Sequence, residues 1–171
     1  MIVMTNNLPM KQGLQAEIKQ KLPFASREEE ALLSIIRTAD SVQSRGEAKL
    51  KEFGLTSTQY NALRILRGAG HDGLPCSEIG ERMINRDPDV TRLLDRLQKR
   101  GLAERARGKQ DRRVIYGRIT QAGLKLLAEM DHPVEQSTRD LLGHIGQAKL
   151  QQLIDLLDLA RNGPEKPEPE V

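Results

Sequence analysis

The feature that most constrains this chain is a change of hydrophobic period in its middle. Up to Leu97 the apolar residues recur at helical spacing; after Gly101 the pattern becomes extended. Leu102–Arg107 and Arg113–Ile119 flank Gly108-Lys109-Gln110-Asp111, which reads as a β-hairpin with a polar tip. Two short helices precede it. One begins near Pro75 and Cys76 and turns Ile79 and Met83 inward. The next opens at Asp87-Pro88, with Asp87 as N-cap and Pro88 at the first helical position, and Gly101 ends it. On this second helix Val90, Leu93, Leu94 and Leu97 share one face, which any packed fold would bury.

Two short helices, a turn and a basic hairpin, in that order, predict a mostly α fold built on a winged helix-turn-helix, spanning residues 54–120. The rest of the chain is helical punctuation around it. Residues 1–25 form an N-terminal extension with a short helix over Lys11–Leu22, stopped by Pro23. Ser26 is the N-cap of a long helix over 26–53, with Glu28, Glu29 and Glu30 in the first turn, where the helix dipole favours acids. Gly54 ends it. Thr56 or Ser57 caps a helix that stops at Gly68, and Gly70–Pro75 reads as a turn. Beyond the hairpin, Thr120 caps a helix that Pro133 should kink or restart. A last helix carries Leu150, Leu153, Ile154, Leu156, Leu157 and Leu159, and the Pro-rich acidic segment 163–171 reads as disordered. With the central domain already complete, the apolar faces of the 26–53 and 121–162 helices are expected to make a homodimer.

Composition narrows the partners. Net charge is +3, but residues 76–118 hold 12 Lys and Arg against 7 Asp and Glu, whereas the remainder holds 15 against 17. Positive charge concentrated in one quarter of the chain is a nucleic-acid footprint. Aromatic residues are only 2%, which argues against single-strand binding by base stacking and leaves double-stranded DNA. A single cysteine, Cys76, fits a reducing compartment and reads as a small buried hydrophobe. No signal peptide and no apolar run near the roughly 20 residues of a membrane span is visible, so a cytoplasmic protein without membrane partners is expected. His71, His132 and His144 lack metal-like spacing, and no nucleophile–base arrangement or phosphate-cradling glycine loop is present. Neither an enzyme nor a cofactor or metal site is expected.

A helix fits the major groove and reads base edges from its N-terminal part. Opposite the leucine face stand Thr91 and Arg92, with Arg86, Asp89 and Arg96 at the margins. Arg92 and Arg96, one turn apart, suit phosphate or guanine edges, and Asp89 and Thr91 suit exocyclic amines or a thymine methyl. Asp95 reads as an intrahelical partner of Lys99. The hairpin carries Arg105, Arg107, Lys109, Arg112, Arg113 and Arg118 against Asp111 at its tip, and a narrow minor groove attracts inserted arginine. Asp111, two residues before Arg113, is placed to orient its guanidinium. The DNA-binding set is therefore Arg86, Asp89, Thr91, Arg92, Arg96, Lys109, Asp111, Arg112 and Arg113. The alternative is a winged module for protein–protein assembly, whose basic face meets an acidic partner.

Four segments in order, GLTSTQYNALRIL (54–66), SEIGERM, DVTRLLDRLQKRGLAER and DRRVIYGRITQAG, resemble the multiple-antibiotic-resistance regulator (MarR) family. Its wing signature, an acid, any residue, an arginine and then a Leu/Ile-Thr pair, matches Asp111, Arg113, Ile119 and Thr120. The resemblance runs from Ser26 to about Asn162. It implies a homodimer with first and last helices interleaved, a palindromic operator, and repression relieved by a small aromatic or phenolic ligand. Cys76 lies on the third helix, away from the start of the first, where the family's peroxide-sensing branch carries its reactive cysteine.

Overall fold

Capping side chains and left-handed residues set the element boundaries in the computed structural model, which describes residues 13–85, 89–108, 111 and 113–163. The chain divides into two compact units, residues 1–44 and 45–171. The first holds α1 (Leu14–Glu17) and the greater part of α2 (Arg27–Glu52). The helix expected over Lys11–Leu22 is thus a single turn within the described residues. Lys19 takes a left-handed conformation (φ 55°) and Gln20 donates back to the Gln15 carbonyl at 2.9 Å, so the helix ends before Pro23 can act. Ser26 caps α2 as expected, its hydroxyl accepting the Glu29 N–H at 3.2 Å, while the Glu29 carboxylate accepts the Ala25 N–H at 2.6 Å. Its own backbone N–H and the Ser26 hydroxyl hold the Glu28 carboxyl below its usual range.

The second unit is built around α3 (Ser57–Ala69), α4 (Cys76–Arg82), α5 (Val90–Lys99) and α6 (Gln121–Leu142), with a small sheet on one side. Thr56, rather than Ser57, caps α3 through a reciprocal pair: its hydroxyl accepts the Gln59 N–H, and the Gln59 side chain accepts the Thr56 N–H. The helix runs through Gly68 and ends at Ala69, because the left-handed residue that breaks it is Gly70 (φ 68°). The following stretch is more than a turn. A 3-10 turn over Gly70–Asp72 leads into β1 (Leu74–Pro75), which pairs antiparallel with β3 (Ile115–Ile119); β2 (Ala103–Arg107) pairs along the other edge of β3. The sheet order is β1-β3-β2, a three-stranded sheet where sequence suggested a two-stranded hairpin.

Leu63, Leu66, Ile79, Leu94, Leu97, Leu127 and Met130 are inaccessible and interlock α3, α4, α5 and α6; each such side chain contributes about 1.5–3 kcal/mol of burial. Arg67 of α3 donates to both oxygens of Asp131 of α6 at 2.9 Å. That bond and the buried Leu127 and Met130 explain why α6 passes through Pro133 without the expected restart: the helix loses one backbone hydrogen bond, to the carbonyl of exposed Glu129, but keeps its packed face. α7 (Gln147–Asn162) differs from all the larger helices of this unit in burying no residue. Leu153, Ile154, Leu156, Leu157 and Leu159 are all exposed on it, as are Leu32, Ile35 and Ile36 on α2. No helix among the described residues is long and apolar enough to cross a membrane.

Candidate nucleic-acid interface

α5 is shaped by its own two faces. Leu93, Leu94 and Leu97 are buried, which turns Thr91, Arg92, Arg96 and Lys99 outward into solvent. The N-cap is Asp89, not Asp87: its carboxylate accepts the Arg92 N–H at 3.1 Å and also pairs with the Arg92 Nε at 3.1 Å. Asp87 and Pro88 lie outside the described residues, as does Arg86. At the C-terminus Gly101 (φ 69°) donates to the Gln98 carbonyl at 2.8 Å and Leu102 to the Leu97 carbonyl at 3.0 Å. This pair of bonds needs a left-handed residue after the cap, and it turns the chain directly into β2.

The hairpin tip is organised by backbone groups. Gly108 donates to the Val114 carbonyl at 2.8 Å and Val114 to the Asp111 carbonyl at 3.2 Å. A Cβ on Gly108 would stand 2.6 Å from the Asp111 carbonyl oxygen, so the tip closes only around glycine. The Asp111 carboxylate accepts the Arg113 backbone N–H at 2.8 Å. Asp111 therefore fixes the backbone that carries Arg113, where sequence had it gripping the guanidinium; an acceptor two residues upstream satisfies an amide N–H in a turn more readily. Arg113 is exposed at the start of the turn back into β3, and Arg107 is exposed at the end of β2, opposite Ile115. Lys109 and Arg112 lie outside the described residues.

Two basic residues of the hairpin are not free. Arg118 donates from Nε to the Asp72 carbonyl at 3.1 Å and so ties β3 to the 3-10 turn. Arg105 donates from Nε to the Gln98 Oε1 at 2.9 Å and pairs with Asp95. Asp95 thus belongs to Arg105 across the helix–strand junction and not to Lys99 along the helix. Residues ten apart show no periodic signal in sequence, and only the reversal at Gly101 brings them together. The two-residue β1, too short for a period-2 pattern and ending in proline, is equally invisible there. Among the described residues of the expected set, the fold brings together Asp89, Thr91, Arg92 and Arg96 on one helix face and Asp111 with Arg113 at the wing tip. No cluster of three or more His, Cys, Asp or Glu able to hold a metal occurs among the described residues.

What this arrangement offers is a helix with an exposed cationic face beside a hairpin with arginines near its tip, a form suited to duplex grooves rather than to bond-making chemistry. Comparison with known proteins agrees. Residues 55–115 match the sequence model of the MarR family. A MarR transcription factor from Planctomyces limnophilus is 40% identical, and its crystal structure superposes with a TM-score of 0.61 over 80% of this chain and 99% of that one. The homoprotocatechuate degradative operon repressor of Escherichia coli is 25% identical over 126 residues, 74% of this chain and 84% of its own length. A MarR family regulator from Streptomyces coelicolor, solved in complex with DNA, shares the fold at a TM-score of 0.72 and 19% identity, covering 87% of this chain and 95% of that one. The chain belongs to the MarR family of transcriptional regulators, proteins that are not enzymes.

Proposed function

We propose that this chain is a cytoplasmic repressor that binds a palindromic operator in duplex DNA as a homodimer. The observation that carries the reading is the split of α5 into a buried leucine face and an exposed face of Thr91, Arg92 and Arg96, beside the exposed Arg107 and Arg113 of the hairpin. In this reading α5 enters the major groove, where Arg92 and Arg96 meet base edges or the phosphates that set register, and Thr91 meets a thymine methyl. Asp89 holds the helix start and Arg92. Arg86 would flank it, and Lys109, Arg112 and Arg113 of the wing would reach the flanking minor groove.

Two half-sites need two readers. Residues 54–120 serve as the reading domain, and the apolar faces within 26–53 and 121–162 are covered by a second copy, which repeats the reader about one helical turn away. The repressor sense follows the E. coli relative's name, and the S. coelicolor regulator that shares the fold was solved in complex with DNA. A small aromatic or phenolic ligand would then modulate binding by altering the spacing of the two recognition helices.

The test is selection of duplexes from a random pool by the purified protein, followed by binding measurements at two salt concentrations. A palindromic consensus, bound with a steep salt dependence, is the expected result. Arg92→Ala or Arg96→Ala should cost about 1–3 kcal/mol and relax preference at one position per half-site if that arginine grips a base edge with both arms of its fork. Binding to an unrelated acidic protein as tightly as to the selected duplex would favour an assembly module instead.

A further inference from the structure

The hairpin is the least supported part of the reading domain. β1 reaches only Gly117 and Tyr116 of β3, so among the described residues the Arg107–Ile115 pair at the outer end has no third strand beside it, and a two-stranded ribbon is marginal by itself. At its base the ribbon is held by packing: a Cβ on Gly117 would stand 3.0 Å from Ile79 and Leu94, so sheet and helices touch closely there. Arg105 stands opposite Gly117, on the same face of the sheet, and reaches α5 with both edges of its guanidinium. Its Nε donates to Gln98 at 2.9 Å and its terminal nitrogen pairs with Asp95, and these two partners lie three residues apart on one side of the helix. Among the described residues Arg105 makes both of the side-chain bonds that join α5 to the hairpin. Arg105 is also less exposed, at 29% of its side chain, than either Asp95 or the groove-facing Arg92 at 78%.

We propose that Arg105 is a positioning residue that locks the wing to the recognition helix and so sets the distance between the major-groove and minor-groove readers. Resting on the DNA-binding reading above, the assignment gives Arg105 a role apart from the DNA-contacting residues: its charge is matched by Asp95 and its guanidinium donates to Gln98. A ribbon pivoting about the Gly117 contact would let Arg107 and Arg113 wander relative to Arg92 and Arg96. With the lock in place, the protein recognises not only a half-site and a flank but the number of base pairs between them.

The experiment uses the tightest duplex that the wild-type protein selects, and a derivative with one base pair inserted between each half-site core and its flank. Arg105→Met should lower affinity for the parent duplex about ten-fold, within the span seen when residues of one hydrogen-bonded network are uncoupled. It should leave the salt slope unaltered and shrink the penalty for the inserted base pair. Arg105→Lys should recover part of the affinity, since an ammonium keeps Asp95 but cannot fork to Gln98. Gln98→Ala keeps fold and charge balance should Arg105→Met fail to fold; it should reduce the insertion penalty in the same direction, and adding it to Arg105→Met should cost nothing further. An unaltered insertion penalty in these variants overturns the proposal, as does a fall in salt slope, which would make Arg105 a phosphate contact. A wild-type protein that selects no duplex would instead overturn the DNA-binding reading itself, and the lock with it.

Discussion

Leucine is used in opposite ways in two helices of this chain. On α5, Leu93, Leu94 and Leu97 are 7%, 0% and 0% exposed; on α7, Leu153, Leu156, Leu157 and Leu159 are 37%, 63%, 38% and 68% exposed. Both helices carry a recognisable apolar stripe in sequence, so periodicity alone does not distinguish them. The difference lies in what each stripe meets. α5 closes on α3, α4 and the sheet within its own chain, and Thr91, Arg92 and Arg96 on its polar face stay exposed. α7 leaves Leu153, Ile154, Leu156, Leu157 and Leu159 exposed, and large exposed apolar patches mark interaction surfaces. One helix buries its leucines within its own chain and the other does not.

The contrast breaks most easily at α7. Leu153→Asp with Leu157→Asp should abolish the dimer, giving monomers or aggregates by light scattering, because full burial of each leucine contributes about 1.5–3 kcal/mol and a carboxylate in its place must be desolvated. Operator binding should fall with the dimer. The same pair of substitutions should leave the α3–α6 core folded. A wild-type protein that is monomeric at micromolar concentration would show that the exposed stripe has another purpose.

On the polar side of the comparison, Arg113→Ala should weaken binding on every sequence, most strongly on sites with A·T-rich flanks, where a narrow groove draws arginine in. The logarithmic salt slope should fall by about 1 for each phosphate no longer neutralised, hence about 2 for a dimer. Asp111→Ala should act more mildly in the same direction, because Asp111 holds the Arg113 N–H and not its guanidinium. Unaltered affinity and slope for Arg113→Ala would take the wing out of the groove.

Sequence made most of this fold legible where the signal is local. Ser26, Thr56 and Thr120 announce helix starts, Gly101 a helix end, and Leu93, Leu94 and Leu97 a buried face, since each rests on spacings of four residues or fewer. What escaped was non-local or too short for a period. Lys19 ends α1 by a left-handed turn that its residue type does not advertise, and β1 exists only because β3 lies beside it. The Arg105 bridge needs the reversal at Gly101 to form at all. Of the candidate interface, the helix and the hairpin were legible as elements, but only the structure showed that Arg105 and Arg118 are tied to Gln98, Asp95 and Asp72.

Thr120 sharpens the comparison on the folded side. Its hydroxyl accepts the Gly123 N–H at 3.1 Å and donates to the Gly101 carbonyl at 2.6 Å, so one side chain both starts α6 and ties it to the end of α5. Thr120→Ala should lower unfolding stability by about 0.5–2 kcal/mol, read by thermal or denaturant unfolding, with Thr120→Ser restoring most of it. A destabilisation confined to α7 exchange, with the core unmoved, would contradict this placement.

The smallest expected effect belongs to Cys76. It opens α4, is half-buried, and packs against the buried core. Burial pushes its thiol above the usual range, with the nearby Arg105 charge acting in the opposite direction, so at neutral pH the thiolate is scarcer than in an unfolded chain. The folded state holds that proton more tightly; the resulting stabilisation is present below the unfolded thiol's titration and fades as pH rises through the folded one. Alkylation by iodoacetamide should accordingly begin at higher pH in the native protein than in urea, and Arg105→Met should delay it further by removing the opposing cation. Peroxide acts through the thiolate, so it should leave operator binding unaltered, and Cys76→Ser should bind as the wild type does. A peroxide-induced loss of binding that disappears in Cys76→Ser would place a redox sensor in the finished half of the molecule, and the division between a settled core and an unsettled α7 would no longer hold.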